Sequence, residues 1–352
     1  MNHFFILFLF FIFGFVLTTT AQNGCEQNLK QAEDFYNNGE YESCISILKK
    51  SIDECNFSSK IKEEALELLV KSYLEQDNIT QAEVSVHDLL NNNPHYELKE
   101  TDSHEDFDNL VNKFDVHPLF TIGITNSLFF PKFKTTKTYS ILDNVDYNAP
   151  YATVNTILLY YPWVEYEFIK NLSVRADIIN LSIKYDRNFI RGTDWNMIYH
   201  EDLSLIEVPL CLKKQFPIGK NVIPYASAGI GYLRMYKANG NASITYTNED
   251  VFTGDKTNYL ATESSDMLNM RNQNSYEWIA GAGIGYKFKN LGIFLDAKYS
   301  GGLNSLTNSA KRFNNTALTN NYFYIDNSVK LNKYELGISI SYTVKNLIKK
   351  VR

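Results

Sequence analysis

The tightest constraint on this chain lies after Pro118, where apolar residues stop recurring at helical spacing and begin to alternate one by one. Phe120, Ile122 and Ile124 alternate with Thr121, Gly123 and Thr125, and Val164, Tyr166 and Phe168 with Glu165 and Glu167. Ile206, Val208, Leu210 and Leu212 interleave with Glu207, Pro209, Cys211 and Lys213. The pattern returns over residues 278–288, 293–299 and 334–344. Strand side chains point alternately to opposite faces. Each segment is therefore read as a strand with one apolar, aromatic-ended face and one small, polar or charged face.

A soluble sandwich would look similar strand by strand, but three features favour a membrane barrel. Strands of about 10–14 residues cross hydrocarbon when tilted. Their second face carries charges that a soluble core excludes and a barrel lumen can pair. Connections also alternate in length: short turns at Lys170-Asn171, Pro217–Asn221 and Lys289-Asn290, long polar loops at roughly 131–152, 188–201, 238–275 and 303–330. The count predicts eight antiparallel strands with both termini on the short-turn, periplasmic side and the long loops extracellular. A phase slip at Ile178-Ile179 predicts a bulge.

An eight-stranded barrel has room inside only for side chains. The candidate lumen salt-bridge network is Glu165, Glu167, Arg175, Asp177, Glu207, Lys213, Glu277, Lys287, Asp296, Lys298 and Glu335. Mixed charge at this density predicts a plug and argues against an open diffusion channel.

Two hairpins carry a family resemblance. Leu205–Lys213 followed by Pro224–Leu233, and Gly281–Tyr286 followed by Leu295–Leu303, resemble the Bacteroidota outer-membrane β-barrel family called porin-like or PorT-like. The resemblance covers about 230 residues and implies fold and location. Its members include a component of the type IX secretion apparatus and many barrels of unknown role, so it implies little about activity. The final strand departs from many barrels in running into a basic tail, Lys345–Arg352.

The N-terminal half reads differently. Phe4–Leu17 is an unbroken apolar run followed by Thr18-Thr19-Thr20-Ala21, too short to span comfortably and fitting a signal peptide over 1–21, although Asn2 and His3 supply no basic flank. Residues 22–115 hold 21 acidic and 8 basic side chains, a net of −13, whereas 116–352 hold 19 and 26, a net of +7. From Glu26 to Phe114 the period is helical: Ala32, Phe35, Tyr36, Tyr41, Cys44, Ile47 and Leu48 form one block, Leu66, Leu69, Val70, Tyr73, Ala82, Val86 and Leu89 a second. The blocks lie about 38 residues apart, near the tetratricopeptide period plus an insertion at Asn56–Lys60. Tyr73, Ala82 and Pro94, echoed by Gly39, Tyr41 and Cys44, resemble tetratricopeptide repeats. That resemblance implies a protein-binding groove, with Tyr36, Tyr41 and Tyr73 as candidate partner-binding residues. A third helix, about Glu105 to Lys113, is expected to cap the repeats. Cys25 opens the first helix and Cys55 closes the second, neighbouring ends of an antiparallel hairpin, which predicts a Cys25–Cys55 disulfide.

The predicted fold is thus α+β and multidomain: signal peptide 1–21, periplasmic tetratricopeptide-like domain 22–115, and an eight-stranded antiparallel transmembrane β-barrel 116–352 in the bacterial outer membrane. Enzymatic chemistry is not expected. Gly281-Ala282-Gly283-Ile284-Gly285 precedes another strand, not the helix a dinucleotide site needs. Glu165 and Glu167, about 7 Å apart by strand rise, suit lumen ion pairs better than acid/base catalysis. His200-Glu201-Asp202 is read as solvated loop charge. No catalytic residue, cofactor, metal, nucleic acid or small-molecule substrate is assigned. The partners expected are outer-membrane lipid and an envelope protein in a hetero-complex. The leading expectation is a non-enzymatic accessory or scaffold subunit of outer-membrane protein assembly or type IX secretion. The alternative is a passive transporter or ligand receptor using the long extracellular loops.

Overall fold

A computed structural model describes residues 18–98, 104–140, 149–153, 156–191, 195–219, 221–249 and 256–351. Most of the expected signal segment, residues 1–17, lies outside the described residues. The chain divides into two compact units, one formed by residues 1–118 with 346–352, the other by 119–345.

The first unit holds α1 (Thr18–Asn37), α2 (Tyr41–Glu54), α3 (Ser59–Glu75), α4 (Ile79–Asn92) and α5 (Glu105–Val111). The turn between α1 and α2 places Gly39 at φ 78, where a residue without a Cβ is unstrained. Asn78 caps α4 by accepting from the Gln81 N–H. Cys44 and Ala82 are wholly buried, small residues that let paired helices approach. Cys25 and Cys55 are joined by a disulfide. Phe107 and Leu110 of α5 complete a core with Leu48, Leu66, Val70 and Leu89.

The second unit is an antiparallel sheet closed on itself. Its strands are β1 (Phe114–Lys137), β2 (Ala152–Thr153), β3 (Ile157–Ile169), β4 (Leu172–Asp177), β5 (Ile179–Arg191), β6 (Trp195–Gln215), β7 (Val222–Glu249), β8 (Lys256–Asp266), β9 (Asn274–Phe288), β10 (Leu291–Gly302) and β11 (Ser328–Lys350). Among the described residues β4 and β5 act as one interrupted strand, and β1, β3, β4/β5, β6, β7, β9, β10 and β11 form a ring of eight, closed where β6 pairs with β7 and β11 with β1. The interruption falls at Ile178, whose N–H donates to the Pro162 carbonyl while the register moves past it. Asn171 and Lys289, at φ 63 and 53, make the tight turns β3–β4 and β9–β10.

The apolar face points outward. On β11, Tyr334, Leu336, Ile338, Ile340, Tyr342 and Val344 are all exposed, Ile340 at 61%, while Ser339 between them is 0% exposed. Ten residue steps span about 33 Å along a strand, which a tilt of about 40° reduces to the roughly 25 Å of a bilayer-facing band. Rings mark its edges: Trp278 packs on Tyr299 at 5.2 Å and Tyr299 on Tyr334 at 4.8 Å at one end, Phe120 on Tyr166 at 5.0 Å at the other. So large an exposed apolar surface is untenable in water and is what a lipid-facing barrel requires. The fold is that of an outer-membrane β-barrel.

One expectation needs correction. Much of what reads as long polar loop is strand. β5 continues to Arg191, β6 begins at Trp195, β7 runs on to Glu249, and β8 pairs back on it over residues 256–266. Inward-facing Met197, Tyr199, Leu203, Ala242 and Ile244 bury against one another there, so the alternation persists beyond the apolar band with a polar outer face.

Candidate functional site

Inside the band the lumen is filled by side chains that bond one another. Lys213 Nζ lies 2.9 Å from Glu165, whose other oxygen accepts from Ser173 at 2.7 Å. Arg175 Nε donates to Asp177 at 2.7 Å, stacks 4.2 Å over the Trp163 ring, and faces Asp296 at 3.8 Å. Lys298 spans Asp177 at 3.1 Å and Glu335 at 3.5 Å and donates to the Tyr161 hydroxyl. Glu167 accepts from the Asn171 N–H of the adjoining turn at 2.8 Å. Glu207 and Glu277 both bond Lys333. Lys287, half-buried near the short-turn end of β9, lies within electrostatic reach of Glu165 and Glu167 and forms no direct ion pair with another described residue.

Glycines make space for this packing. A Cβ on Gly283 would meet the Tyr225 hydroxyl at 2.4 Å, and one on Gly285 the Phe294 ring at 2.2 Å. Among the described residues, Glu207, Lys298, Lys333 and Glu335 border a cavity of about 10 Å³, room for about one water molecule. The sequence reading missed Lys333, although alternation from Glu335 places it on the same face.

Beyond the band, toward the long connections, a second buried cluster ties separate segments together. Arg271, between β8 and β9, binds Glu201 on β6 and reaches Asp326, before β11, at 2.9 Å. Tyr185 and Tyr199 donate to the same Glu201 carboxylate. Arg187 stacks on Tyr151 at 4.5 Å and Phe189 at 4.6 Å, and the Tyr199 and Tyr324 rings stack at 3.8 Å. Burial, helped by Glu201, pushes the Tyr185 and Tyr199 hydroxyls well above their usual range, so both stay protonated donors. Burial disfavours the Arg271 charge, but Asp326 and Glu201 outweigh it and hold the guanidinium ionised. The connection from β10 to β11, with α6 (Thr316–Asn321), folds down as a cap, burying Leu306, Leu318, Tyr322 and Tyr324.

On the outer face of the same strands, His200 Nε2 lies 3.0 Å from Asp202, and Nδ1 faces Asp186. Glu201, flanked by these two in the sequence, points inward and is 0% exposed, which corrects its reading as solvated loop charge. In the helical unit Tyr36 and Tyr41 meet edge to face at 5.5 Å, while Tyr73 is buried in the core at 6% exposure. Tyr73 therefore presents no surface to a partner.

No family profile matches the chain, and no curated protein does. Solved structures do. OprG from Pseudomonas aeruginosa aligns at 12% identity over 65% of this chain and 96% of its own, with a TM-score of 0.35. Neisserial surface protein A aligns at 13% over 64% and 96%, TM-score 0.29. The Ralstonia pickettii toluene transporter TbuX aligns at 7% over 64% and 88%, TM-score 0.18. The expectation of an accessory or scaffold subunit acting through helical repeats is corrected on the structure itself: Tyr73, one of its three partner-binding residues, is core.

Proposed function

We propose that this chain is a ligand receptor of the bacterial outer membrane, its barrel an anchor and its extracellular segments the binding surface. One observation carries the reading. Among the described residues the lumen is lined by mutually bonded side chains around a cavity of about 10 Å³, whereas the β8–β9 and β10–β11 connections are tied to β6 through Arg271, Asp326 and Glu201. A conduit needs the first feature reversed; a receptor needs the second.

On this reading residues 1–21 are a signal peptide and 22–115 a periplasmic, tetratricopeptide-like helical domain. Residues 116–352 form the barrel, with kinship to the porin-like barrels of Bacteroidota. Both ends of the ring, β1 and β11, leave it on the short-turn side, which supports the periplasmic assignment. The reading assigns no chemical step to the protein.

Planar-bilayer recording of the purified full chain tests it. The expected result is no steady conductance; an ohmic open state at neutral pH would establish passive transport and refute the receptor reading.

A further inference from the structure

At the long-loop end of the barrel, segments 269–274 and 308–311 border an open pocket of about 350 Å³. Its lining is dominated by carboxamides, from Asn269, Asn272, Gln273, Asn274 and Asn308. Lys311 and Arg271 complete it, and no carboxylate lines it. The Arg271 charge is already met by Glu201 and Asp326. Lys311 is exposed and in no ion pair with another described residue, so the pocket carries an unbalanced positive charge.

The two segments are stapled together, which fixes the carboxamides in place. The Asn272 N–H donates to the Leu306 carbonyl at 2.7 Å and the Asn308 N–H to the Met270 carbonyl at 2.9 Å. Asn272 Nδ2 donates to the Ser305 carbonyl at 2.8 Å, and Arg271 pairs with Thr307 in a β-bridge. The Oδ1 of Asn274 accepts from Tyr232 and from Arg234, each at 2.7 Å, which leaves its Nδ2 as a donor. The side chains of Asn269 and Gln273 bond no other described residue and keep both donor and acceptor.

Such a wall selects a chemistry. A carboxamide donates and accepts in one plane, which matches the neighbouring hydroxyls of a sugar ring. A cation without a carboxylate beside it favours phosphate, sulfate or carboxylate on that sugar. An apolar ligand would find too little apolar lining here to bind. The volume is at the small end of ligand pockets, room for about one or two sugar rings.

We propose that this pocket binds an anionic saccharide. The proposal names the ligand class of the receptor described above and rests on that reading. Two sources carry this chemistry: the sugar headgroup of an outer-leaflet glycolipid, and a soluble acidic oligosaccharide.

The test uses the full chain in nanodiscs, with and without lipooligosaccharide, titrated calorimetrically with a sulfated disaccharide and its unsulfated counterpart. In discs free of lipooligosaccharide the sulfated sugar is expected to bind at least tenfold more tightly. Lys311→Glu should lower its affinity at least tenfold. Gln273→Ala should weaken both sugars several-fold. Neither side chain bonds another described residue, and unchanged heat-modifiable mobility on gels verifies that the variants fold. If lipooligosaccharide blocks the sulfated sugar in the wild type but not in Gln273→Ala discs at matched saturation, the source is the leaflet. If it does not compete, the source is soluble glycan. Either result supports the proposal. Absence of saturable binding in lipooligosaccharide-free discs, or wild-type affinity in both variants, overturns it. Conductance decides the receptor reading independently, so a closed barrel that binds no saccharide would lose this ligand class alone.

Discussion

Replacing Arg271 by Met tests whether the long-loop end is a built cap or a set of draped loops. The guanidinium is 4% exposed and serves two carboxylates, Glu201 and Asp326, that are 0% and 1% exposed. It also donates to Tyr185 at 3.1 Å. Met fills much of the volume and removes the charge, stranding both carboxylates. Removing one partner of a buried ion pair costs about 3–5 kcal/mol, because the remaining charge is left uncompensated. At about 1.4 kcal/mol per decade, that raises local opening by two to three and a half decades. The assay is hydrogen exchange of the backbone amides that hold the cap, such as Leu306 to the Val329 carbonyl and Asn308 to the Met270 carbonyl. Amides of the β10–β11 ladder within the apolar band serve as the reference. A triple variant, Arg271→Met with Glu201→Gln and Asp326→Asn, removes the stranded charges and should recover most of the protection. Exchange of the cap amides within threefold of wild type in Arg271→Met would refute the reasoning.

Three further outcomes follow from the same physics. Lys333→Met leaves Glu207 and Glu277 buried together without their cation, which should cost about 3–5 kcal/mol and lower the temperature at which the folded band is lost on a heat-modifiability gel. Replacing Cys25 and Cys55 by Ser opens a closed loop with a sequence separation of 30 residues and should destabilise the helical unit by about 3–4 kcal/mol, measured as a lower helical melting temperature by circular dichroism. At His200 partial burial opposes the charge, but hydrogen bonds and attraction from Asp186 and Asp202 prevail and raise its pKa. The charged form is therefore favoured in the folded state. Its stabilisation is complete below the ordinary value of about 6.5 and is lost as pH rises through the higher folded value. The protection factors of the β5–β6 outer-ladder amides, corrected for the base-catalysed intrinsic exchange rate, should fall over that window in wild type and stay level in His200→Gln.

The barrel was legible because one physical rule, side-chain alternation with a fixed period, acts on every strand at once. The rule also reaches residues that a reading by hydropathy leaves out. Stepping back by twos from Glu207 on β6 gives Leu205, Leu203 and Glu201, all inward and buried. Glu201 nonetheless reads as loop in the sequence, since the outward residues beside it, His200 and Asp202, are polar. The polar outer face marks where the sheet leaves the lipid, not where it ends. Arg271 and Asp326 could not be found in that way. They lie in irregular segments, and only tertiary contact brings them to Glu201. Tyr73 failed in the opposite sense: an aromatic at helical spacing is as apt to be core as surface, and here it packs in the core.

The division of polar groups between lumen and cap bears directly on where a ligand can bind. A buried polar group is costly unless bonded, so in the lumen the charges become one another's ligands. Lys333 is spent on Glu207 and Glu277, and Lys298 on Asp177 and Glu335. A solute entering there would have to offer equal bonds in exchange, since a buried charge left without its partner costs roughly 3–5 kcal/mol. Past the band, water relieves that constraint, and Asn269, Gln273 and Lys311 are left with bonding capacity that no other described residue takes up. Binding there displaces only water, which costs far less than breaking a buried pair. On the proposed receptor reading, the same low-dielectric lumen leaves the outer rim as the place where a ligand binds at least cost.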